Sequence, residues 1–418
     1  MNDEGLTGEG EPAPTSALRH LRALVILFVG LRLTVLLARE PGGLMQFGEL
    51  LNFYRVAEIT PLTGRLPLIG YWVEYPPLFA YLNLGLHQLL IAWLGAADQA
   101  YFYAWALITL AADTGNLWLM HRLGSRLYGP AVGLDLAWAY ALLGAPLVFL
   151  MWNFEALTAL CMLLGLWWLL EGREARSAIA IAAGALLKVM PGLLVPVVWR
   201  FRPLKQAARY TGITAALGAL AYLPFLLISP PYALASLLAQ ARKSSWQTVW
   251  ALIDGNFATG NFGPVAERLD PARAGIMLGN PPAIPGWLTL VAFGGLYAFL
   301  FTRPVRRTDR TLVAFFGLTW CVFLLWSKGW SPQWMAMILP LLLLLFPNRT
   351  GVLAAVVFSV INFLEWPVLL SRGLWHGLYL TVALRTAFLI GLLAACHRIS
   401  SDPAGAPLSW RPRREASP

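Results

Sequence analysis

Charge is scarce in this chain. Asp, Glu, Lys and Arg together make up 12% of its 418 residues, against 58% that are hydrophobic. A soluble domain of that length could not hide so much apolar surface, so lipid must cover it. Cysteine is nearly absent too. Cys161, Cys321 and Cys396 lie inside or at the end of apolar runs, with neither metal-ligand spacing nor a disulfide framework, and read as lipid-phase packing residues. Nucleotide-binding patterns are missing, whether GxxxxGK, the Rossmann glycines or DxD, and no internal repeat is found. The net charge of +10 does not then imply nucleic acid. Its basic residues cluster in short segments beside apolar runs, the pattern that orients membrane helices toward the cytoplasm. Membrane lipids are the expected partner, and nucleic acid is not.

What the chain has in quantity is apolar sequence and tryptophan. Nineteen Trp residues suit a protein whose helix ends meet lipid headgroups. A span needs roughly 20 apolar residues. Candidates are 20–38, 101–121, 131–151, 155–171, 208–229, 286–302, 311–327, 332–346, 351–370 and 375–396. The first run is followed by Arg39-Glu40 and lacks a small-x-small cleavage site, so it reads as a retained anchor.

Two segments are ambiguous. Residues 77–97 are apolar but carry Asn83, His87 and Gln88, and 178–200 hold Lys188 ahead of Met190-Pro191-Gly192. If each is one full span, Arg122, Arg126, Arg173 and Arg176 fall outside the cell. If 77–97 lies along the outer face and 178–200 is a hairpin broken at Pro191, those arginines join Arg200, Arg202, Lys205, Arg209, Arg303, Arg306, Arg307 and Arg310 in the cytoplasm. The bias of basic residues toward the inside favours the second layout, and a proline after a mid-membrane lysine is a natural break. The predicted fold is therefore all-α: a multi-pass cell-membrane protein of about twelve membrane segments with both termini cytoplasmic. Its domain covers 19–398, with outer loops at about 39–100 and 230–285. Polar tails, 1–18 and 399–418, are expected to be disordered.

Chemistry then belongs on the outer face. In the first loop Glu49 stands among apolar residues, followed by Tyr54, Arg55 and the stretch Glu74-Tyr75-Pro76-Pro77-Leu78. An acid in such a setting is the kind of group that serves as general base, and it is equally the kind that pairs with a neighbour such as Arg55. The paired prolines predict a rigid turn opening an interfacial helix. Asn153-Phe154-Glu155 puts a second acid at the edge of a span, where it needs a cavity, a partner or a metal. Asp113, deeper in a span, reads as a link between helices, for example through Asn116. Lys188, Lys328 (in Ser327-Lys328-Gly329-Trp330-Ser331-Pro332-Gln333-Trp334), Arg372 and His376 form a cationic set on the same face. Such cations either snorkel to headgroups or hold a phosphate. Trp246, Trp250, Asp254 and two Gly-Asn-Phe triplets in 244–285 suit either sugar stacking or interfacial anchoring.

Glu49 with Tyr54, then Glu74-Tyr75-Pro76-Pro77-Leu78, Lys188-x-x-Pro191 and Ser331-Pro332-Gln333-Trp334 occur in an order that resembles the GT-C superfamily of membrane glycosyltransferases. The likeness is to the bacterial mannosyltransferase-like branch, glycosyltransferase family 87, and runs over about residues 20–345. The resemblance implies a GT-C-like bundle with extracytoplasmic interfacial helices. It also implies an inverting transferase that moves a sugar, mannose by likeness, from a polyprenyl-phosphate donor to a lipid-linked or glycan acceptor. Glu49 then stands where the family usually has aspartate and is the base, with Glu74 in reserve. Glu155 supports it or helps hold a divalent cation such as Mg or Mn, and no other cofactor is implied. Lys188, Lys328 or Arg372 hold the phosphate, and Tyr54, Tyr75, Gln333 and His376 complete the substrate-binding set. A polyprenyl phosphate leaves as a stable anion, so no general acid is required. Two other readings stay open: a lipid or sugar transporter or flippase, and an inactive partner in cell-envelope assembly.

Overall fold

A computed structural model of the chain describes residues 14–38, 49–143 and 153–401. Their regular elements are helices, and extended pairing is confined to two isolated bridges, Pro67–Tyr71 and Trp246–Gly329. In chain order the α-helices are α1 (Pro14–Ala38), α2 (Leu50–Thr63), α3 (Pro77–His87), α4 (Asp98–Tyr128), α5 (Pro130–Leu142), α6 (Glu155–Leu170), α7 (Glu174–Leu187) and α8 (Leu194–Phe201). They continue with α9 (Leu204–Ile228), α10 (Pro230–Arg242), α11 (Val249–Asp254), α12 (Gly286–Thr302), α13 (Asp309–Trp326), α14 (Met335–Leu345), α15 (Arg349–Phe363) and α16 (Gly377–Ser401). Of the expected tails, 1–18 and 399–418, residues 1–13 and 402–418 lie outside the described residues, as do 39–48 at the start of the first loop and 144–152 at the end of the 131–151 run. At the two edges of the expected domain, α1 begins at Pro14 and α16 runs to Ser401.

Among the described residues five helices are long and apolar enough to cross a membrane: Arg19–Ala38, Leu204–Ile228, Asp309–Trp326, Arg349–Arg372 and Gly377–Ser401. Four shorter apolar helices, among them Glu155–Leu170 and Pro332–Leu345, pack inside the bundle or beside it. Burial sorts them. Every residue of α14 is buried, making it the central post, whereas α9 buries only Ala207 and Tyr210 and α12 only Leu300. An apolar helix left so bare is at home only against lipid. Inside the bundle small residues let helices close up: a Cβ on Gly124 of α4 would sit 2.9 Å from the Gly133 Cα of α5. Asp113 does link helices. Its carboxylate takes Arg32 Nε at 3.0 Å from α1 and the Tyr140 hydroxyl at 2.5 Å from α5, and it interacts with Asn116, which also donates to the Ala156 carbonyl.

The 178–200 segment is a hairpin. Lys188 is extended, with φ −158° and ψ 129°, and a tight turn over Met190–Leu193 reverses the chain into α8. Arg202, just past α8, reaches back to Glu174 at the start of α7 (3.5 Å) and to the Leu169 carbonyl (2.6 Å). The chain thus leaves at the end where it entered. That end is the basic one. Arg126 joins Asp309 at 2.9 Å and Glu171 at 3.0 Å, and Arg200 caps the Arg303 carbonyl at 2.7 Å.

The opposite end carries a second core, built from aromatic rings. Phe79 meets Phe154 with centroids 4.1 Å apart and Phe53 at 4.9 Å, and Trp105 and Tyr75 close the cluster. Tyr81 of α3 stacks on Phe225, near the end of α9, and Asn83 accepts from Tyr101, near the start of α4. These partners all belong to one end of the bundle, so α3 lies across that end instead of threading it. A 6-residue wide turn, Gln88–Trp93, completes the segment.

Candidate functional site

Glu49 immediately precedes α2, whose Phe53 is set in the aromatic core. The Tyr75 hydroxyl donates to Glu49 Oε2 at 2.5 Å, and Gln333 Nε2 donates to Oε1 at 3.3 Å. Three distant segments therefore converge on one carboxylate. Tyr75 owes its position to Pro76 and Pro77, which open α3 with no amide hydrogen to satisfy. Its ring packs on Phe79 (4.7 Å) and edge-on to Phe154 (5.1 Å). Burial and the adjacent Glu49 push its phenol well above the usual tyrosine range, so it remains a donor.

Lys188, freed from the helix by the hairpin break, places Nζ 2.6 Å from Glu155 Oε1. It also lies near the rings of Tyr75, Phe154 and Trp334, at 5.5 to 5.8 Å. Glu155 is fully buried at the first position of α6, where a carboxylate also meets the positive end of the helix. Glu74 is engaged on both oxygens. Arg268 binds it through two nitrogens, and Asn52 donates at 3.2 Å. Lys328 donates to the Ala241 (2.8 Å) and Lys243 carbonyls at the end of α10.

These groups meet at a cavity of about 660 Å³. Its apolar wall includes Trp246, Trp250, Phe262, Phe323, Trp326 and Trp334, and its charged lining is Glu49, Glu74, Lys188, Lys243, Asp254 and Lys328. Gly286 and Thr289, in the bare first turn of α12, form one side. Of the predicted residues, Glu155 and Gln333 are not in the lining themselves but bind Lys188 and Glu49, which are, whereas Tyr54, Arg372 and His376 are not part of it. Tyr54 donates to Asp98 at 2.7 Å, Arg372 donates to the Val368 carbonyl at 2.8 Å, and His376 is exposed.

No family model matches the chain, and no curated protein does. Solved structures do. They include the oligosaccharyltransferase of Archaeoglobus fulgidus in its apo form (14% identity, TM-score 0.39) and the same enzyme tethered to an acceptor peptide containing the NVT sequon (13%, 0.39). Both alignments cover 93% of this chain, and 56% and 55% of the solved chains respectively. A third, that enzyme with zinc and sulfate, aligns at 15% identity and TM-score 0.34, over 85% of this chain and 49% of the other. The chain spans about half the length of these solved chains.

Among the described residues no three potential metal ligands converge. Glu155 faces the Lys188 ammonium, and Glu49 accepts from two neutral donors. This set does not fit a divalent cation.

Two features of the site lay beyond the sequence reading. The first is Lys243, whose Nζ lies 4.2 Å from the centroid of Trp246 and 3.9 Å from that of Phe262. It forms no ion pair among the described residues. Burial pushes its ammonium down to about 8, against the opposing pull of Glu49 and then Glu74. The second is the brace behind Trp246. This residue bridges to Gly329, its amide donating to Lys328 and its carbonyl accepting from Trp330 at 3.1 Å. The next residue, Gln247, has φ +52° and is held by Glu365 (3.0 Å) and by Arg385, which binds the Gln247 carbonyl. Arg385 and Glu365 are themselves joined at 2.6 Å in the buried contact between the last two long helices. Of the two Gly-Asn-Phe triplets, the second supplies the Phe262 ring over Lys243, and the first sets Phe257 against Tyr379 at 5.3 Å.

Proposed function

We propose that the chain is a polyprenyl-phosphate-dependent glycosyltransferase that moves a sugar, mannose by sequence likeness, to a lipid-linked or glycan acceptor on the outer face of the membrane. The observation that carries this reading is Glu49, a carboxylate without a cationic partner among the described residues, held by Tyr75 and Gln333 at the wall of an apolar cavity. The basic end of the bundle faces the cytoplasm, which puts this cavity outside. No nucleotide pocket is needed there, because the donor arrives in the bilayer.

The acceptor oxygen attacks the anomeric carbon, and the bond from that carbon to the phosphate oxygen breaks on the opposite face. The phosphate keeps the bonding electrons, and Glu49 takes the proton of the acceptor hydroxyl. The anomeric configuration inverts. Lys188, steadied by Glu155, supplies positive potential beside Glu49 as negative charge gathers on the leaving oxygen. Tyr75 and Gln333 fix the carboxylate so that little reorientation precedes the proton transfer.

The test uses membranes carrying the full chain, supplied with polyprenyl-phosphate-linked mannose, glucose or arabinose. Wild type is expected to transfer one of these sugars, and an equally abundant Glu49→Gln variant to be slower by about 10² to 10⁴. Transfer by Glu49→Gln at the wild-type rate would remove Glu49 from its role. Failure of wild type with every donor would favour a transporter or a non-catalytic assembly partner.

A further inference from the structure

The charges that line the cavity are nearly all accounted for by the protein itself. Glu74 is bound by Arg268, Lys188 by Glu155, and Lys328 by two carbonyls. Asp254 accepts from Ser245 at 2.6 Å and from the Ala283 amide at 2.8 Å. Four of the lining charges have no opposite charge at ion-pair distance among the described residues, Glu49, Asp254, Lys243 and Lys328, and of the three cations only Lys243 has no acceptor for its ammonium there. Glu49 has two neutral donors. Lys243 has only ring faces, Trp246 on one side and Phe262 on the other. Gly260 closes a third side, where an added Cβ would come within 2.6 Å of Lys243 Nζ. Ring faces offset part of the cost of taking an ammonium out of water, but they give its three N–H groups no acceptor.

Resting on the transferase reading above, we infer that Lys243 is the residue that binds the anionic head of the lipid donor, a single phosphate, in this cavity. One ammonium still lacking an acceptor matches the one negative charge of a phosphodiester, since Lys188 faces Glu155 and Lys328 is turned to two carbonyls. A nucleoside diphosphate would bring at least two. The Trp and Phe walls and the adjoining bare first turn of α12 suit the isoprenoid carbons next to that phosphate. After transfer the released lipid phosphate carries more negative charge, and Lys243 faces it while Glu49 holds the proton. Lys188, Lys328 and Arg372, the cations singled out by sequence, are each already engaged with a protein acceptor.

The experiment measures binding and needs no turnover. Full-length protein in nanodiscs is treated with an amine-modifying reagent at pH 8, and modification of Lys243 is followed by peptide mass spectrometry. A polyprenyl monophosphate is expected to slow modification at least tenfold, and the uncharged polyprenol or inorganic phosphate at the same concentration to leave it unchanged. In a direct binding assay Lys243→Met, which keeps the packing between the rings, weakens polyprenyl phosphate about ten- to a hundredfold. Lys243→Arg retains most of the affinity. Gly260→Ala, which crowds Nζ, weakens binding while Lys243 is still present. Equal protection by polyprenol would show that the tail alone fills the cavity, and equal protection by inorganic phosphate that the site takes free anions; either overturns the proposal. Sugar transfer by Lys243→Met at wild-type rate and donor affinity overturns it too and leaves the transferase reading standing. Lys243-dependent lipid-phosphate binding without transfer of any sugar has the opposite meaning.

Discussion

The Tyr75 hydroxyl sits 2.5 Å from Glu49 Oε2, and the two residues lie at opposite ends of a segment made of α2 and the irregular stretch that follows it. Gln333 holds the other oxygen from a segment nearly three hundred residues further on. Neither donor is charged, so the carboxylate is oriented without being neutralised by a cation. Tyr75→Phe and Gln333→Ala should each lower sugar transfer about tenfold with donor affinity little changed, because what is lost is aim. Since both act on one carboxylate, the double variant should fall short of or exceed the product of the single effects. Transfer rates at saturating donor, with protein levels matched, would check this. Strict multiplicativity would mean that the two side chains act apart from Glu49.

Glu74, in the cavity lining, and Arg268 behind it form a buried pair. Glu74→Gln leaves a guanidinium buried without its counter-charge, at a cost of about 3 to 5 kcal/mol. Thermal unfolding in detergent should show that loss. Replacing Arg268 with Met in the same chain should restore part of it. If Glu74 served mainly as a base, the single variant would be stable and inactive.

A Cβ on Gly329 would overlap the Trp246 indole, against which that glycine packs. Gly329→Ala should therefore break the bridge between the two segments and displace the cavity wall. Helix content by circular dichroism should be unchanged, while tryptophan emission shifts and transfer is lost. An active Gly329→Ala protein would mean that the position of Trp246 is not needed.

The lysine near pH 8 makes its own prediction. Burial lowers the affinity of Lys243 for its proton, so as pH rises through about 8 the amine becomes neutral. Affinity for polyprenyl phosphate should accordingly be full below that pH and fall above it. Bound phosphate, which favours the charged form, moves the fall to higher pH. Lys243→Arg should hold its affinity to well above pH 8, since a guanidinium does not titrate there. A wild-type profile flat from pH 7 to 10 would count against this.

Orientation can be read with single cysteines at exposed positions on the two ends. A cysteine replacing Arg65, beside the first-loop turn, should react with an impermeant thiol reagent in intact cells, and one replacing Arg307 should be protected. The reverse pattern would invert the bundle.

Much of the architecture was legible in the sequence for reasons tied to particular residues. Lys188 ahead of Pro191 marked a break that a lipid-facing helix could not tolerate, and a hairpin forms there. Pro76-Pro77 marked the start of α3. Charges inside spans were legible only in part. Asp113 reads as a link between helices, but nothing in the spacing points to Arg32, inside the first apolar run, as the residue that pairs with it. A guanidinium at that depth demands a carboxylate, and Asp113 was available. Lys243 carried no such sign. It is one basic residue at the end of an amphipathic helix, beside Arg242, and its importance arises only after folding has paired off Glu74, Lys188 and Lys328. Which charge is left over depends on three-dimensional pairing that no spacing rule encodes. The same holds for Glu365 and Arg385, which brace Gln247 from 118 and 138 residues away.

Helix α12 adds one consequence of its own. Only Leu300 near its far end is buried, so the stretch beside Gly286 and Thr289 borders bilayer on one side and cavity on the other. A donor whose head enters there can leave its tail in the leaflet. What such a site then senses is a mole fraction in two dimensions, not a concentration in water. Diluting the donor with inert lipid should slow turnover even when its total amount per volume is held constant.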